Sequence, residues 1–188
     1  MPRRREILFW RRTDVPGLER LSLEVGPEGV RAEASVLCAE DGGFRIDHRW
    51  TLTPDWRALT LEVERWGAAG RQALRVERTR GGWLVDGARR PDLDGAEEPD
   101  LSITPFCNTF PIRRTPEAPG ASVTLETCYV DAAVMAVARS RQRYDRLGAR
   151  RLRYVDLGHS AGFEADLEVD DEGLVLRYEH LFERVAPT

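Results

Sequence analysis

The side chains with the widest chemical range in this 188-residue sequence are three histidines, three cysteines and five tryptophans. No histidine pair has the HxH or HExxH spacing of a metal site, and no cysteine pair has CxxC spacing, so we expect no metal and reduced thiols. His48 shares an alternating register with Trp50, which predicts a buried or cavity-wall histidine. The indoles of Trp50 and Trp83 suit either core packing or contact with a sugar or acyl chain. His48, Trp50 and Trp83 are candidate ligand-binding residues, and we assign no catalytic residue.

Asn108 lies between two prolines that restrict the backbone. A proline disfavours helical backbone at the residue before it, so Thr104 and Phe110, which precede Pro105 and Pro111, are expected to be extended or in turns. Asn108 would then lie in a short, irregular crossing. Its amide could satisfy backbone groups or bind a ligand.

Two consecutive arginines follow this crossing. Arg113 and Arg114 would point to opposite faces of a strand, so at most one of them would enter a cavity. An inward guanidinium could clamp a phosphate or carboxylate head group and pair with Asp100 or Glu98. The alternative is structural, with one arginine in a buried ion pair and the other in solvent. Asp100 and both arginines are therefore candidate site residues.

One stretch has helical rather than alternating spacing. Apolar residues between 132 and 147 recur at helical intervals, with Asp131 as N-cap and Gly148 as terminator. This pattern predicts a helix near 132–147. Gln142 and Tyr144 on that helix could place polar groups at the mouth of a cavity, or cap the open end of the sheet.

The dominant period of the sequence is two, which is typical of strands with one buried face. About ten such runs are separated by turns rich in Gly, Pro and Asp. Residues 44–52 and 59–63, joined by a turn at 53–56, predict a hairpin. We expect a mainly β protein, one domain over residues 1–188, with one large curved antiparallel sheet. A half-barrel or spiral β-roll covered by the helix near 132–147 would bury the apolar face.

Composition narrows the function classes. The sequence carries 28 arginines and no lysine, dispersed among 32 acidic residues, with a formal net charge of −4. That distribution speaks against nucleic-acid binding. An apolar run of about 7–15 residues near the start, or of about 20 anywhere, is not found, so we expect no signal peptide, no transmembrane segment and a cytoplasmic protein. No phosphate-loop, dinucleotide or Gly-x-Ser-x-Gly motif occurs, so we expect no cofactor. The sequence does not predict an oligomeric state.

The segment from residue 100 to residue 114 resembles the most characteristic stretch of the Putative glycolipid-binding family. The matching residues are Asp100, Leu101, Thr104, Pro105, Asn108, Thr109, Pro111, Ile112, Arg113 and Arg114. Weaker matches extend the resemblance over roughly residues 21–184. The sequence departs from the family pattern at His48, Glu98 and Phe110, where the family often has Tyr, Asp and Leu.

The resemblance implies a curved antiparallel roll, similar in shape to lipoprotein carriers, and binding of a glycolipid or lipid. Together with the absence of a catalytic motif, it favours non-catalytic binding of a hydrophobic or amphipathic small molecule inside or along the sheet. A protein-interaction or structural module with a filled interior is the first alternative. A hydrolase built from scattered residues is the second, because catalytic groups meet in space and not in order.

Overall fold

A computed structural model describes residues 3–186 of the chain and contains fifteen β-strands in one sheet. The strands are β1 (Arg4–Arg12), β2 (Gly17–Gly26), β3 (Gly29–Cys38), β4 (Phe44–Leu52), β5 (Ala58–Gly67), β6 (Gly70–Thr79), β7 (Gly82–Val85), β8 (Ala88–Arg89), β9 (Glu98–Leu101), β10 (Ser122–Asp131), β11 (Ala136–Gly148), β12 (Arg151–Asp156), β13 (Glu164–Val169), β14 (Val175–Tyr178) and β15 (Phe182–Val185). The α-helix of the described residues is α1 (Thr109–Arg114).

The sheet is built from two meanders that meet where the ends of the chain pair. β1 is hydrogen-bonded to β2 on one side and to β15 on the other, and the order runs outward to β8 at one edge and β9 at the other. Neighbours are antiparallel except for β9 and β10, which are parallel. The sheet curves until its edges approach, and the Arg90 guanidinium beyond β8 donates to the Val137 carbonyl oxygen in β11 at 3.0 Å. The predicted mainly β fold with one large curved sheet is confirmed.

Alternating side chains bury the inner face of the sheet. In β4, Phe44, Ile46, His48, Trp50 and Leu52 are buried and the residues between them are more exposed. β4 and β5 pair as the predicted hairpin. The buried apolar side chains form two clusters, a larger one centred on β1–β7 and a smaller one centred on β11–β15.

The segment between β9 and β10 lies across the inner face and fills much of the larger cluster. Phe106 and Phe110 are fully buried, and both rings meet Trp50 edge-on, with centroids 5.9 and 5.4 Å away. The expectation of extended or turn backbone before Pro111 was wrong, because Phe110 lies in α1. Pro111 is tolerated in the first turn, where its missing N–H has no intrahelical partner. Burial of Phe110 stabilises this otherwise disfavoured backbone.

The predicted helix near 132–147 was also wrong, because that sequence forms a hairpin turn and β11. β11 pairs with β10 and β12 along most of its length. Asp131 does cap backbone N–H groups, those of Ala133 and Val134, but these belong to the turn. The inward residues of β11 are polar, namely Ser140, Gln142, Tyr144 and Arg146. The sequence of β11 therefore shows no hydrophobic alternation, and its few apolar residues matched helical spacing by coincidence.

Candidate functional site

Four of the predicted site residues form one hydrogen-bonded ring on the inner face. Asn108 Nδ2 donates to the Tyr144 hydroxyl at 2.8 Å, which donates to Gln142 Oε1 at 3.1 Å. Gln142 Nε2 donates to Asp100 Oδ2, and the Cys107 thiol donates to Asp100 Oδ1 at 3.1 Å. Because Cys107 and Asn108 are adjacent, the ring closes through the backbone and joins β9, the crossing segment and β11.

A cleft of about 250 Å³ opens beside this ring. Asp100 and Asn108 reach it from the ring, and Thr104 reaches it from the crossing segment. The remaining walls are mostly aromatic and come from β10, the strands β12–β15 and the loops between them: Tyr129, Tyr154, Phe163, Tyr178 and Phe182. Exposed Ser102 and Ser160 lie at its mouth. Apolar walls with a few convergent polar groups are typical of small-molecule sites.

The two carboxylates of the cleft have different environments. Burial and, to a smaller degree, the negative charge of Asp156 raise the pKa of Asp100 to about 6, against the lowering effect of the Cys107 and Gln142 hydrogen bonds. Asp156 is held by its loop, since Oδ1 accepts from the backbone N–H groups of Gly158 and Ser160 at 2.8 and 3.1 Å. Its Oδ2 accepts from the Tyr154 hydroxyl at 3.1 Å. Both carboxylates can accept hydrogen bonds from a ligand.

His48 and Trp50 belong to a second, fully buried network. Trp50 Nε1–H donates to His48 Nδ1 at 2.9 Å, so the proton of a neutral His48 ring is on Nε2. Nε2 lies 3.1 Å from Glu19 Oε1, which also accepts from the Thr104 hydroxyl at 2.9 Å. Thr104 thus lies between this network and the cleft. His48 itself is 0% exposed and does not line the cleft.

Trp83 and the two arginines lie away from the cleft. Trp83 is buried, and its indole donates to the Ala96 carbonyl oxygen at 2.9 Å. Arg114 donates to the buried Glu98 carboxylate at 2.6 Å. Arg113 stacks over Trp56, with its guanidinium carbon 4.5 Å from the ring centroid, and lines a separate surface depression. The structure therefore groups Asp100, Asn108, Gln142 and Tyr144, and leaves the other five candidates outside that group.

The aromatic walls of the cleft were not among the residues predicted from the sequence. A compositional signal was present, because all four tyrosines follow residue 128 and all five tryptophans precede residue 84. The tryptophans pack the larger half of the sheet, apart from the half-exposed Trp66, whereas Tyr129, Tyr154 and Tyr178 surround the cleft. The two predicted tryptophans, Trp50 and Trp83, therefore lie in the half of the sheet away from the cleft, and their role in binding stays a prediction.

The structure of residues 3–186 lacks two further classes of feature. These residues contain no cluster of three or more His, Cys, Asp or Glu side chains arranged to hold a metal ion. Nor does any helix in this range have the length and apolarity needed to cross a membrane.

One solved structure and one family model match this chain. A crystal structure of a DUF1089 family protein from Pseudomonas aeruginosa superimposes with a TM-score of 0.78 and 31% identity, over 89% of this chain and 92% of that one. No curated protein sequence matches the chain. The family model described as "Putative glycolipid-binding" matches residues 7–184. The resemblance seen in the sequence is confirmed, and the chain belongs to this family.

Proposed function

We propose that this protein binds an amphipathic small molecule, of glycolipid type, with the polar head group of the ligand in the cleft beside Asp100 and Asn108. The observation that carries the proposal is the convergence of two carboxylates and an amide in a cleft with aromatic walls. Sugar rings present hydroxyl groups at their edges and C–H groups on their faces. They can therefore pair with carboxylates and lie against tyrosine rings at the same time.

The apolar part of the ligand would lie at the rim of the cleft. Phe163 and Leu181 line the cleft and are only partly buried. A volume of about 250 Å³ is small for a whole lipid, so acyl chains would extend from the cleft along these side chains. The role assigned to the protein is binding, and we assign no catalytic step to these residues.

Native mass spectrometry of gently purified protein, followed by solvent extraction, tests the proposal. We expect a stoichiometric amphipathic molecule to accompany the protein. In a matched variant, Ser160→Trp, a large side chain at the mouth should abolish its retention. Thr124→Trp is the control, because Thr124 is also exposed but lies on β10 away from the cleft.

Three outcomes have clear meanings. Retention lost only in Ser160→Trp supports the cleft as the binding site. Equal retention in both variants contradicts it. Failure of the wild-type protein to retain, or to rebind from vesicles, any lipid or glycolipid contradicts the binding function itself.

One observation favours the interaction-module alternative. Leu18, Leu37 and Trp66 are exposed on the outer face, and cross-strand pairing places them in one row together with Arg45. Exposed apolar patches often mark protein contacts. If this row mediates association, the Leu37→Asp variant should have a smaller sedimentation coefficient than the wild-type protein, because it no longer associates. A coefficient that is the same in both would remove the support for this alternative.

A cytoplasmic location remains part of the proposal. It is supported by the three cysteines, Cys38, Cys107 and Cys128, which are free and buried, as expected in a reducing compartment. Fractionation of cells that produce the protein tests this point. Recovery outside the cytoplasmic fraction would contradict it.

A further inference from the structure

We infer that the cleft selects uncharged hydroxylated head groups, such as neutral sugars, and rejects head groups that carry a phosphate, sulfate or carboxylate. This inference rests on the proposed function and adds the chemical class of the ligand. It is carried by the charges that line the cleft and by the balance of hydrogen-bond donors and acceptors there.

The charge of the lining is entirely acidic. Asp100 and Asp156 both line the cleft, whereas none of its lining residues within 3–186 is an arginine or a histidine. This absence is notable in a chain with 28 arginines among 188 residues. His159 stacks on Tyr129, with ring centroids 4.7 Å apart, but does not line the cleft. An anionic head group placed here would face like charges without a cationic partner.

The arginines that could bind an anion are already engaged elsewhere. Arg114 is paired with Glu98, and Arg113 donates to the Glu172 carbonyl oxygen at 2.6 Å. Arg146 is buried and surrounded by backbone carbonyl groups, those of Ile112 and Thr115 among them. The clamp for a phosphate or carboxylate group, considered from the sequence, is therefore not available at this cleft.

The charged hydrogen-bonding groups of the cleft are acceptors, and its hydroxyl groups, such as those of Ser102 and Tyr178, can donate or accept. The thiol of Cys107 and the amide of Gln142 each donate to Asp100, but an ionised carboxylate retains further lone pairs. Asn108 donates one Nδ2–H to Tyr144 and keeps its second N–H as a donor and Oδ1 as an acceptor. Tyr154 donates its hydroxyl proton to Asp156. Hydroxyl groups of a ligand can donate to the two carboxylates, whereas fully ionised phosphate, sulfate and carboxylate groups have no proton to donate to them.

A matched pair of soluble probes tests the inference. Octyl glucoside and octyl glucuronide share the chain and the ring and differ at C6, where the second carries a carboxylate. Below their micelle concentrations, isothermal titration calorimetry at pH 7.5 should show the glucoside binding at least about tenfold more tightly. In Asp100→Asn the preference should shrink, because one of the two opposing charges is removed. Glu168→Gln, an exposed carboxylate on β13 outside the cleft, is the control and should leave the preference unchanged.

The results separate the inference from the function on which it rests. Equal or tighter binding of the glucuronide overturns charge selection while leaving the binding function in place. A preference that is equally strong in Asp100→Asn and in the wild-type protein overturns the assignment to this carboxylate. If neither probe binds and no amphipathic molecule is retained in mass spectrometry, the proposed function itself fails.

Discussion

At the residue scale, the buried carboxylate of Glu98 explains why two arginines converge on the start of β9. Glu98 is 1% exposed and lies within 3.3 Å of Arg78 and 2.6 Å of Arg114. Its Oε2 also accepts from the Ala58 backbone N–H at 2.9 Å. Such a cluster fixes the edge of the sheet against β5, because a buried charge is tolerated only when its partners are in place.

Removal of one partner should therefore be costly. We predict that Arg114→Ala lowers the free energy of unfolding by about 3 kcal/mol, since it leaves Glu98 with a single cation. Arg113→Ala is the control and should cost about 1 kcal/mol or less, because its contacts with Trp56 and Glu172 are partly exposed. Urea unfolding measures both. Equal losses would contradict the assignment of Arg114 to the fold.

Asp100 makes stability depend on pH. Its pKa is raised to about 6, so the folded state holds the proton more tightly than the unfolded chain does. The stabilisation from Asp100 is therefore complete below its ordinary pKa and is lost as the pH rises through 6. Relative to Asp100→Asn, the wild-type protein should lose stability between pH 4 and pH 7. A difference between the two proteins that does not change with pH would contradict this prediction.

The residues of the hydrogen-bonded ring were predicted as site residues from the sequence, but the elements that carry them were only partly predicted. Asp100 was predicted as a partner of the arginine pair and Asn108 from the prolines on either side of it; both also match the family pattern, and both line the cleft. Gln142 and Tyr144 were selected as residues of a helix that does not exist, yet β11 brings them to the same place. Arg113 and Arg114 matched the family pattern equally well. No feature of the sequence distinguishes residues that hold the fold from residues that reach the cleft.

At the element scale, α1 and the 3-10 turn before it, Phe106–Asn108, fill the larger half of the sheet. Phe110 is 0% exposed, and its ring centroid lies 5.3 Å from that of Phe106. Because this crossing also carries Thr104 and Asn108, its packing determines where the polar groups of the cleft lie. The aromatic contacts and the site are therefore coupled through one short segment.

This coupling predicts a large effect for one core residue. Phe110→Ala should destabilise the protein by about 3–5 kcal/mol, because it leaves a cavity against Trp50. Leu37→Ala is the control, since Leu37 is exposed and should change stability by about 0.5 kcal/mol or less. Thermal unfolding with calorimetry compares the two. A small effect of Phe110→Ala would show that the crossing segment does not fill the core.

Strands with apolar inner faces were predictable, and the strand with a polar inner face was not. β4 shows its alternation directly, and its hairpin with β5 is as predicted. β11 buries Ser140, Gln142, Tyr144 and Arg146, which satisfy one another or backbone groups only after the sheet has folded. The local sequence does not show hydrogen bonds between groups that are far apart along the chain. The error therefore fell on the strand that contributes two residues of the candidate site.

At the scale of the whole molecule, pairing of β1 with β15 joins the two halves of the sheet. The larger apolar cluster includes Trp10, Trp50, Trp56 and Trp83, and the smaller one includes Tyr144, Tyr154 and Tyr178. Spectroscopic signals of the buried tryptophans and of these tyrosines therefore report on different halves of the sheet. We continue to expect a single domain, because the sheet is continuous across the junction.

A single domain should unfold in one step. We predict coincident urea transitions by tryptophan fluorescence and by fluorine NMR of 3-fluorotyrosine-labelled protein. Both probes should give the same midpoint. Two separated midpoints would mean that the halves fold independently.

The location of the bound ligand is the central claim, and an amide NMR titration with octyl glucoside tests it most directly. The account predicts saturable shift changes at Tyr129, Ser160 and Phe163 around the cleft, with none at Leu37 on the outer face. Changes concentrated on the outer face, or no saturable changes at concentrations below micelle formation, would contradict the account.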